Sequence, residues 1–528
     1  MTEGYPIALQ VLGSALRSTA QEMYTAIVRS ASSPNITERR DCSTALFDAD
    51  ATMLVQADSI PVHLGAMPDA VAAVRSAGIA PGEAWILNDP FRGGTHLPDI
   101  TIVSAIAPPG GDVLAYAVSR AHHSDVGGMS PGSMPAASRD LLQEGLVIPP
   151  LCLVRKGMVN ETLMALLLAN TRTPVERSGD IRAQIAAHRL ADVRVGELLG
   201  RHGRDMIERA GRELVAYAER RTRAAIGRLP NGRYVATDVL EGDGATDDDL
   251  PIVAAVTIDG ERLIVDFTGS APEGAGNLNC PISVTRSAVY FVVRLATDPD
   301  IPASGGAFAA VEVVAPSGSI LNASPGRAVV GGNVETSSRI VDVVMAALGQ
   351  AIPLPASGQG TMNNLTIGGT GPAGSFTYYE TIGGGQGASP SADGPSGVHV
   401  AMSNTLNTPV ESLETAYPLR VVRYALRPGT GGRGVHRGGD GVERTIRVLV
   451  DAEVSIISER RRHAPPGRAG GTAGAVGENL VRESPVPGKW SGLVRAGDVV
   501  TIRTPGGGGY GPPMDEDSGR AVATGSLT

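Results

Sequence analysis

The amino-acid sequence predicts a multi-domain α+β protein with mixed sheets, helical segments and a small C-terminal β module. Its 528 residues exceed the ~250–300 residues that one hydrophobic core usually serves. Apolar residues recur at three- and four-residue steps in 7–29 and 180–228, which is typical of amphipathic helices. Short apolar runs between turn residues in 232–320 and 440–503 are typical of strands.

The N-terminal region, residues 1–230, is predicted to combine helices and strands around a metal site. The first helix covers 7–29, and a second is expected at 71–77. Residues 100–106 and 113–118 are apolar runs on either side of a Pro-Pro-Gly-Gly turn, so they are expected to be strands. A pair of packing helices follows, divided near Gly200 and Gly203.

Three further regions follow a change in composition after Pro230. Residues 231–430 are predicted to form a central α+β region rich in glycine and asparagine. Residues 431–511 are expected to form the small β module, since short strand-like runs alternate there with turns. Residues 512–528 are polar and poor in apolar side chains, so a flexible tail is expected.

Composition excludes several classes of function. The net charge is −9 and no basic domain stands out, so nucleic acid is not an expected partner. The two lysines, Lys156 and Lys489, have the wrong neighbours for a P-loop. No apolar stretch is long enough to span a membrane. The cysteines Cys42, Cys152 and Cys280 form no paired motif, which indicates a cytoplasmic, reduced protein without a zinc finger.

Four of the nine histidines lie in the first 125 residues, with several aspartates around them. Neutral imidazole and carboxylate together suit Zn²⁺, Mn²⁺ or Fe²⁺. His96 and Asp99 are three residues apart, and a turn at Pro98 would bring both onto one ion. The alternative is that each histidine is simply a hydrogen-bonded core residue. The candidate residues are His63, His96, His122, His123, Asp41, Asp89, Asp99 and Asp125.

Two rival chemistries are disfavoured by local context. Cys42 adjoins Asp41, and a neighbouring carboxylate blunts a thiol by raising its pKa. The string GMSPG at 128–132 matches the Gly-x-Ser-x-Gly pattern, but glycines and proline surround the serine where a strand and a helix are needed. The glycine-rich string at 331–337 precedes a helix-like run, so its amides are a candidate anion site.

Several strings together resemble the hydantoinase B/oxoprolinase family, the B subunits of ATP-dependent hydantoin and lactam hydrolases. The resemblance extends from about residue 5 to residue 511, which is nearly the whole chain. Several long strings in the same order are far more specific than any one of them. The strings are SPNITERRDCS (33–43), LNDPFRGGTHLPD (87–99), HHSDVGG (122–128), NVETS (333–337) and TPGGGGYG (504–511).

The resemblance implies a two-protein system. An A-type, ATP-binding partner subunit would use ATP and Mg²⁺ to phosphorylate the amide oxygen of a cyclic imide or lactam, and the B-type chain would receive the activated substrate. In relatives the B-like subunit carries a divalent ion, expected here to be Zn²⁺, Mn²⁺ or Fe²⁺. The positions that match as ligands are Asp41, His96, Asp99 and His123, with His122 as the alternative.

The resemblance therefore implies a hydrolase that opens hydantoin, N-methylhydantoin, 5-oxoproline or another lactam, within a cytoplasmic hetero-oligomer. Asp125 or His122 is the expected proton shuttle. Two alternatives stay open: a subunit of an ATP-dependent ketone carboxylase acting on acetone or acetophenone, and a scaffold subunit without its own chemistry.

Overall fold

The structure, a computed structural model, describes residues 5–57 and 60–513. Its first sheet is antiparallel, and its seven strands lie in the order β2-β1-β5-β4-β3-β6-β7. These strands are β1 (Cys42–Asp48), β2 (Met53–Gln56), β3 (Ala84–Leu87), β4 (Asp99–Ile106), β5 (Ala115–His122), β6 (Leu151–Arg155) and β7 (Met158–Val159). The two strands predicted around residue 110 are confirmed as β4 and β5.

Helices pack against this sheet. They are α1 (Tyr5–Ser30), α2 (Pro34–Thr37), α3 (Met67–Ser76), α4 (Glu161–Ala169), α5 (Pro174–His202) and α6 (Arg204–Ile226). The predicted apolar stripe of α1 is buried from Leu12 to Ile27 in one core with residues of β1 and α5. The helix pair is divided at Gly203, whose φ of 74° is left-handed. No helix in residues 5–57 or 60–513 is both long and apolar enough to cross a membrane.

The central region has its own four-stranded sheet, ordered β11-β10-β9-β8. Its strands and helices are β8 (Gly232–Glu241), β9 (Asp249–Asp259), β10 (Arg262–Asp266), α7 (Ile282–Ala296), β11 (Val311–Val314) and α8 (Ser337–Leu348). All four strands lie within residues 232–320, where short apolar runs predicted strands. One turn of π-helix, Gly332–Thr336, leads directly into α8, so the NVETS string is wound into a buried, irregular turn.

The remaining strands form two sheets, ordered β13-β12-β16-β19 and β14-β15-β20-β17-β18. They are β12 (Asn364–Gly371), β13 (Gly374–Glu380), β14 (Leu419–Leu426), β15 (Val442–Val448), β16 (Ala452–Ile457), β17 (Glu478–Val481), β18 (Ser484–Val486), β19 (Lys489–Val494) and β20 (Val499–Arg503), and α9 is Val410–Ala416. Strands on both sides of residue 430 pair with one another, so these sheets begin well before the expected module at 431. Of the predicted tail 512–528, residues 514–528 lie outside the described residues.

Glycine-rich loops interlock beside these two sheets through backbone hydrogen bonds. The amide of Gly385 donates to the carbonyl of Pro505 at 3.0 Å, and that of Gly507 donates to the carbonyl of Gly439 at 2.9 Å. A Cβ on Gly385 would lie 2.1 Å from the Gly439 oxygen. The high glycine content of this part of the chain therefore serves close packing of backbones.

Candidate metal centre

Three neighbouring antiparallel strands end at one place and bring the candidate residues together. Asp99, the first residue of β4, pairs directly with His122, the last residue of β5. Asp41 immediately precedes β1, and its carbonyl accepts from the His122 amide at 3.0 Å. Because the register places Asp99 and His122 opposite each other, their side chains share one face of the sheet.

His96 reaches the same place through a turn before β4. The Asp99 amide donates to the His96 carbonyl at 3.1 Å, and the Ile100 amide donates to the Pro98 carbonyl at 3.0 Å. Gly94 permits this path, since a Cβ there would lie 2.4 Å from the Asn88 oxygen. The turn expected at Pro98 therefore brings His96 and Asp99 together.

Three donor atoms converge at the end of the sheet. His96 Nε2 lies 3.1 Å from His122 Nδ1 and 3.2 Å from Asp99 Oδ1, and His122 Nδ1 lies 3.3 Å from the same oxygen. A tetrahedral ion with bonds of about 2.05 Å needs ligand atoms about 3.3 Å apart. All three residues are at most 3% exposed. The spacing and the two-imidazole, one-carboxylate set therefore fit a divalent transition metal.

The protonation states suit this assignment. Burial alone would raise the pKa of Asp99, but the adjacent His96, His122 and His63 outweigh burial and hold that pKa well below its usual range. Burial lowers the pKa of His122, which keeps its imidazole neutral. An ionised carboxylate and a neutral imidazole are the forms that bind metal ions.

The second oxygen of Asp99 has its own donors. Thr95 Oγ1 donates to Asp99 Oδ2, and His63 Nε2 lies 3.3 Å from that oxygen. His63 Nδ1 is 2.7 Å from Ser43 Oγ, so the serine hydroxyl orients the imidazole. These contacts leave Oδ1 facing the other two donors. His63 is among the sequence candidates, whereas Thr95 and Ser43 carry no sequence signal for this role.

His123, the favoured fourth ligand, points elsewhere. Its Nε2 lies 3.1 Å from Gln184 Oε1 on α5. Burial, reinforced by Arg177, lowers the pKa of His123 to about 4. Consecutive side chains at a strand end face opposite ways, so only one of the two adjacent histidines can reach Asp99. The geometry favours His122, the alternative, over His123.

Asp125, the expected proton shuttle, braces a loop. Its carboxylate accepts from the amides of Gly127, Gly132 and Arg172 at 2.9 to 3.1 Å, and Arg172 Nη1 lies 3.0 Å from Oδ2. These contacts tie the loop after β5 to the start of α5. The structure therefore does not bring Asp125 to the three donors.

Tyr379 covers the His122 ring. The two rings stack at a centroid distance of 4.4 Å and an angle of 14°. The Tyr379 hydroxyl donates to Asn364 Oδ1 at 3.0 Å, and Asn364 Nδ2 donates to Glu335 Oε1 at 2.8 Å. Glu335 of the NVETS string therefore positions the Tyr379 ring through Asn364. The sequence analysis did not predict this link.

The structure also describes the surroundings of Cys42, of the GMSPG string and of the glycine-rich string at 331–337. Burial raises the pKa of the Cys42 thiol well above its ordinary value, which makes it inert. Gly132 has a left-handed φ of 84° within a short turn, so Ser130 lies in a loop. Amides in the candidate anion string bind carbonyls, as Gly332 does with Asn277 at 3.0 Å.

The described chain is a mixed α+β fold with a buried cluster of two histidines and one aspartate at the end of an antiparallel sheet, and their donor atoms are spaced as one divalent ion requires. The sequence matches the family described as Hydantoinase B/oxoprolinase over residues 5–513. The chain belongs to the hydantoinase B/oxoprolinase family.

Individual relatives span most of the chain. An uncharacterized protein of Methanocaldococcus jannaschii is 38% identical over 523 residues, which cover 97% of this chain and 91% of the relative. The 5-oxoprolinase 1 of Arabidopsis thaliana is 38% identical over 535 residues, covering 96% of this chain. The chain spans 42% of that relative and 40% of the 5-oxoprolinase of Dictyostelium discoideum.

Two solved structures share the fold. The ATP-dependent caprolactamase from Pseudomonas jessenii superposes with a TM-score of 0.86 at 28% identity, covering 96% of this chain and 91% of that one. Acetone carboxylase in its nucleotide-free form gives a TM-score of 0.88 at 19% identity, covering 97% and 76%. At 19% identity, the second likeness shows the fold alone.

Proposed function

We propose that this chain is the metal-bearing B subunit of an ATP-dependent hydrolase of cyclic amides. The observation that carries the proposal is the convergence of His96, Asp99 and His122 in a spacing that fits one divalent ion. The substrate would be hydantoin, N-methylhydantoin, 5-oxoproline or another lactam. An A-type partner would phosphorylate it with ATP and Mg²⁺, in a cytoplasmic hetero-oligomer.

The relatives support the class of reaction. A caprolactamase and two 5-oxoprolinases are named for opening cyclic amides, and the caprolactamase is named as ATP-dependent. The described chain also has free cysteines at Cys42, Cys152 and Cys280, in keeping with a reducing compartment.

The chain's own residues would prepare the site for hydrolysis. His96, Asp99 and His122 would hold a Zn²⁺, Mn²⁺ or Fe²⁺ ion, which when bound supplies Lewis-acid polarisation and lowers the pKa of water. Thr95 and His63 fix the Asp99 carboxylate in one orientation.

Two further residues complete the proposed site. Asp41, which immediately precedes β1 and whose backbone carbonyl accepts from the His122 amide, stays the proposed fourth ligand. Tyr379 excludes bulk water by covering the His122 ring, and water exclusion strengthens electrostatic interactions with a reacting group.

A ketone carboxylase subunit is the second candidate, favoured by the fold shared with acetone carboxylase. We would purify the chain together with a coexpressed A-type subunit and assay ATP-dependent opening of hydantoin, 5-oxoproline and caprolactam, beside ATP-dependent carboxylation of acetone. Ring opening that is lost in His96→Ala supports the hydrolase. Carboxylation without ring opening would overturn it. Neither reaction, from a folded complex that binds ATP, would favour the scaffold.

A further inference from the structure

Five arginine side chains are among the largest fully buried residues of the described chain. An unpaired buried cation is costly, so buried arginines usually face carboxylates. Three of the five do so at distances of 2.6 to 3.4 Å. These pairs are Arg339 with Asp238, Asp342 and Glu459, Arg444 with Glu380, and Arg460 with Asp238 and Asp342.

Arg120 on β5 lacks such a partner. Its Nε donates to Thr101 Oγ1 at 2.8 Å, and Nη2 donates to the Gly93 carbonyl. Its Nη1 is buried without any hydrogen-bond partner. Within residues 5–57 and 60–513, the Arg120 guanidinium forms no ion pair with a carboxylate. An arginine guanidinium is not deprotonated in proteins, so Arg120 is charged.

Arg39 is the other unpaired buried arginine. Its Nη1 donates to the Tyr379 carbonyl at 2.9 Å, and Nη2 donates to the hydroxyls of Thr381 and Thr405. All these acceptors are neutral. Its Nε has no partner, and in the described chain no carboxylate pairs with the guanidinium.

Both unpaired arginines border the metal centre, whereas the paired arginines belong to other clusters. Arg120 and His122 are two residues apart on β5, so they project from the same face of the sheet. The rise of about 3.4 Å per residue in a strand places the Cα atoms of these two residues about 7 Å apart. The Arg39 guanidinium lies 5.4 Å from the centroid of Tyr379, the ring that stacks on His122.

The charges at the metal centre favour an anion beside these two arginines. Arg39 and Arg120 offset the carboxylates of Asp41 and Asp99, and Arg286 pairs with Asp69, the other carboxylate that acts on Arg120, so the centre without an ion is close to neutral. A divalent ion adds two positive charges in a buried place, and that surplus attracts an anion. We propose that Arg39 and Arg120 form, beside the metal donors, a binding site for an oxyanion that carries about two negative charges.

The inference deepens the proposed function and rests on it. A phosphoryl group on an activated amide is a dianionic oxyanion, and inorganic phosphate, the product of its hydrolysis, has the same chemistry. Arginine suits this ligand because its planar guanidinium donates to two oxygens at once. Arg39 and Arg120 would then hold the phosphoryl oxygens while the amide carbon lies near the three donors.

Calorimetric titration of the full metal-loaded chain with inorganic phosphate and with methyl phosphate tests the site. Each of Arg120→Gln and Arg39→Gln removes a charge-assisted hydrogen bond, so each is expected to weaken binding by about 10- to 100-fold. Arg120→Lys, which keeps the charge, should recover part of the loss. Tighter binding of methyl phosphate would identify a bound phosphoryl ester as the ligand, and tighter binding of phosphate would identify the free ion. Both outcomes support the site.

Arg139→Gln is the matched control, because Arg139 is exposed and its removal changes the net charge equally. Its affinity for phosphate should stay within about two-fold of the wild type, since exposed charges are screened. Thermal unfolding would confirm that each variant is folded. Equal phosphate affinity in the wild type and in folded Arg39 and Arg120 variants would overturn the inference, as would absence of binding to the wild type.

The outcome separates this inference from the proposed function. Phosphate binding that depends on Arg39 and Arg120, without hydrolysis of cyclic amides, would support the oxyanion site and contradict the proposed hydrolase function. Hydrolysis together with phosphate binding that is unchanged in the Arg39 and Arg120 variants would contradict the oxyanion site alone.

Discussion

His63 offers the sharpest perturbation of the centre that leaves its three donor atoms in place. It lies 3.3 Å from Asp99 Oδ2 through Nε2 and 2.7 Å from Ser43 through Nδ1, and it is 1% exposed. Replacing His63 with leucine removes one of the two side-chain donors to Oδ2, with Thr95 as the other. Asp99 can then rotate or bind through both oxygens, so the ion should be held less tightly.

The expected loss follows from the role of such partners. Removing a group that orients a metal ligand typically weakens metal binding about 10- to 100-fold. That range corresponds to about 1.4–2.7 kcal/mol. Ser43→Ala should cost less, since it frees the His63 ring without deleting its contact with Asp99. Competition with a chromophoric chelator on the purified full chain would measure the dissociation constant for Zn²⁺ or Mn²⁺.

His188 provides the control. It is buried at 4% exposure, and Ser104 and Ser119 flank its ring nitrogens at 2.7 and 2.9 Å. His188→Leu should lower stability as His63→Leu does but leave metal affinity unchanged. Equal metal affinity in folded His63→Leu and the wild type would refute the reasoning, and so would an equal loss of affinity in His188→Leu.

Three further predictions address the surroundings of the centre. Burial raises the pKa of Glu335 to about 7, so the free energy of unfolding should fall as pH rises from about 4.5 through 7. In urea unfolding, Glu335→Gln should remove up to about 3 kcal/mol of that fall. The same pH dependence in Glu335→Gln and the wild type would contradict this prediction. Gly385→Ala should destabilise the folded chain by at least about 2 kcal/mol, because its Cβ would collide with Gly439. Gly196 lies in open space on α5, so Gly196→Ala should stabilise the fold by about 0.5–1 kcal/mol. Equal melting temperatures for the two variants would contradict close backbone packing at Gly385. Asp125→Asn should lower thermal stability and retain bound metal, and loss of metal would restore Asp125 to the centre.

Elements with a clear apolar stripe or run could be predicted from sequence, and elements without one could not. The stripe from Leu12 to Ile27 predicted α1, and the run from Ile100 to Ile106 predicted β4. Strand β1, Cys42–Asp48, is buried but carries Ser43 and Thr44, so it has neither a continuous apolar run nor the alternation of a strand with one face in water. Strand β12, Asn364–Gly371, was missed because glycine and threonine interrupt the apolar run that usually marks a strand.

The candidate site could be located from sequence but not resolved atom by atom. The motif around His96 and Asp99 and the histidine pair at 122–123 indicated the candidate ligands, and the turn at Pro98 brings His96 and Asp99 together as expected. Which of the two histidines faces Asp99 depends on strand register, which no local string encodes. The contacts of Asp99 with His63 and of His122 with Tyr379 join distant segments, so only the folded chain reveals them.

The central claim is that His96, Asp99 and His122 hold one divalent ion. Elemental analysis of the purified full chain tests this claim most directly, with the wild type beside His96→Ala, Asp99→Ala, His122→Ala and His123→Ala. We expect about one Zn, Mn or Fe per chain in the wild type and in His123→Ala, and almost none in the other three variants. Metal retained in folded His122→Ala and lost in His123→Ala, or no metal in the wild type after reloading, would contradict the claim.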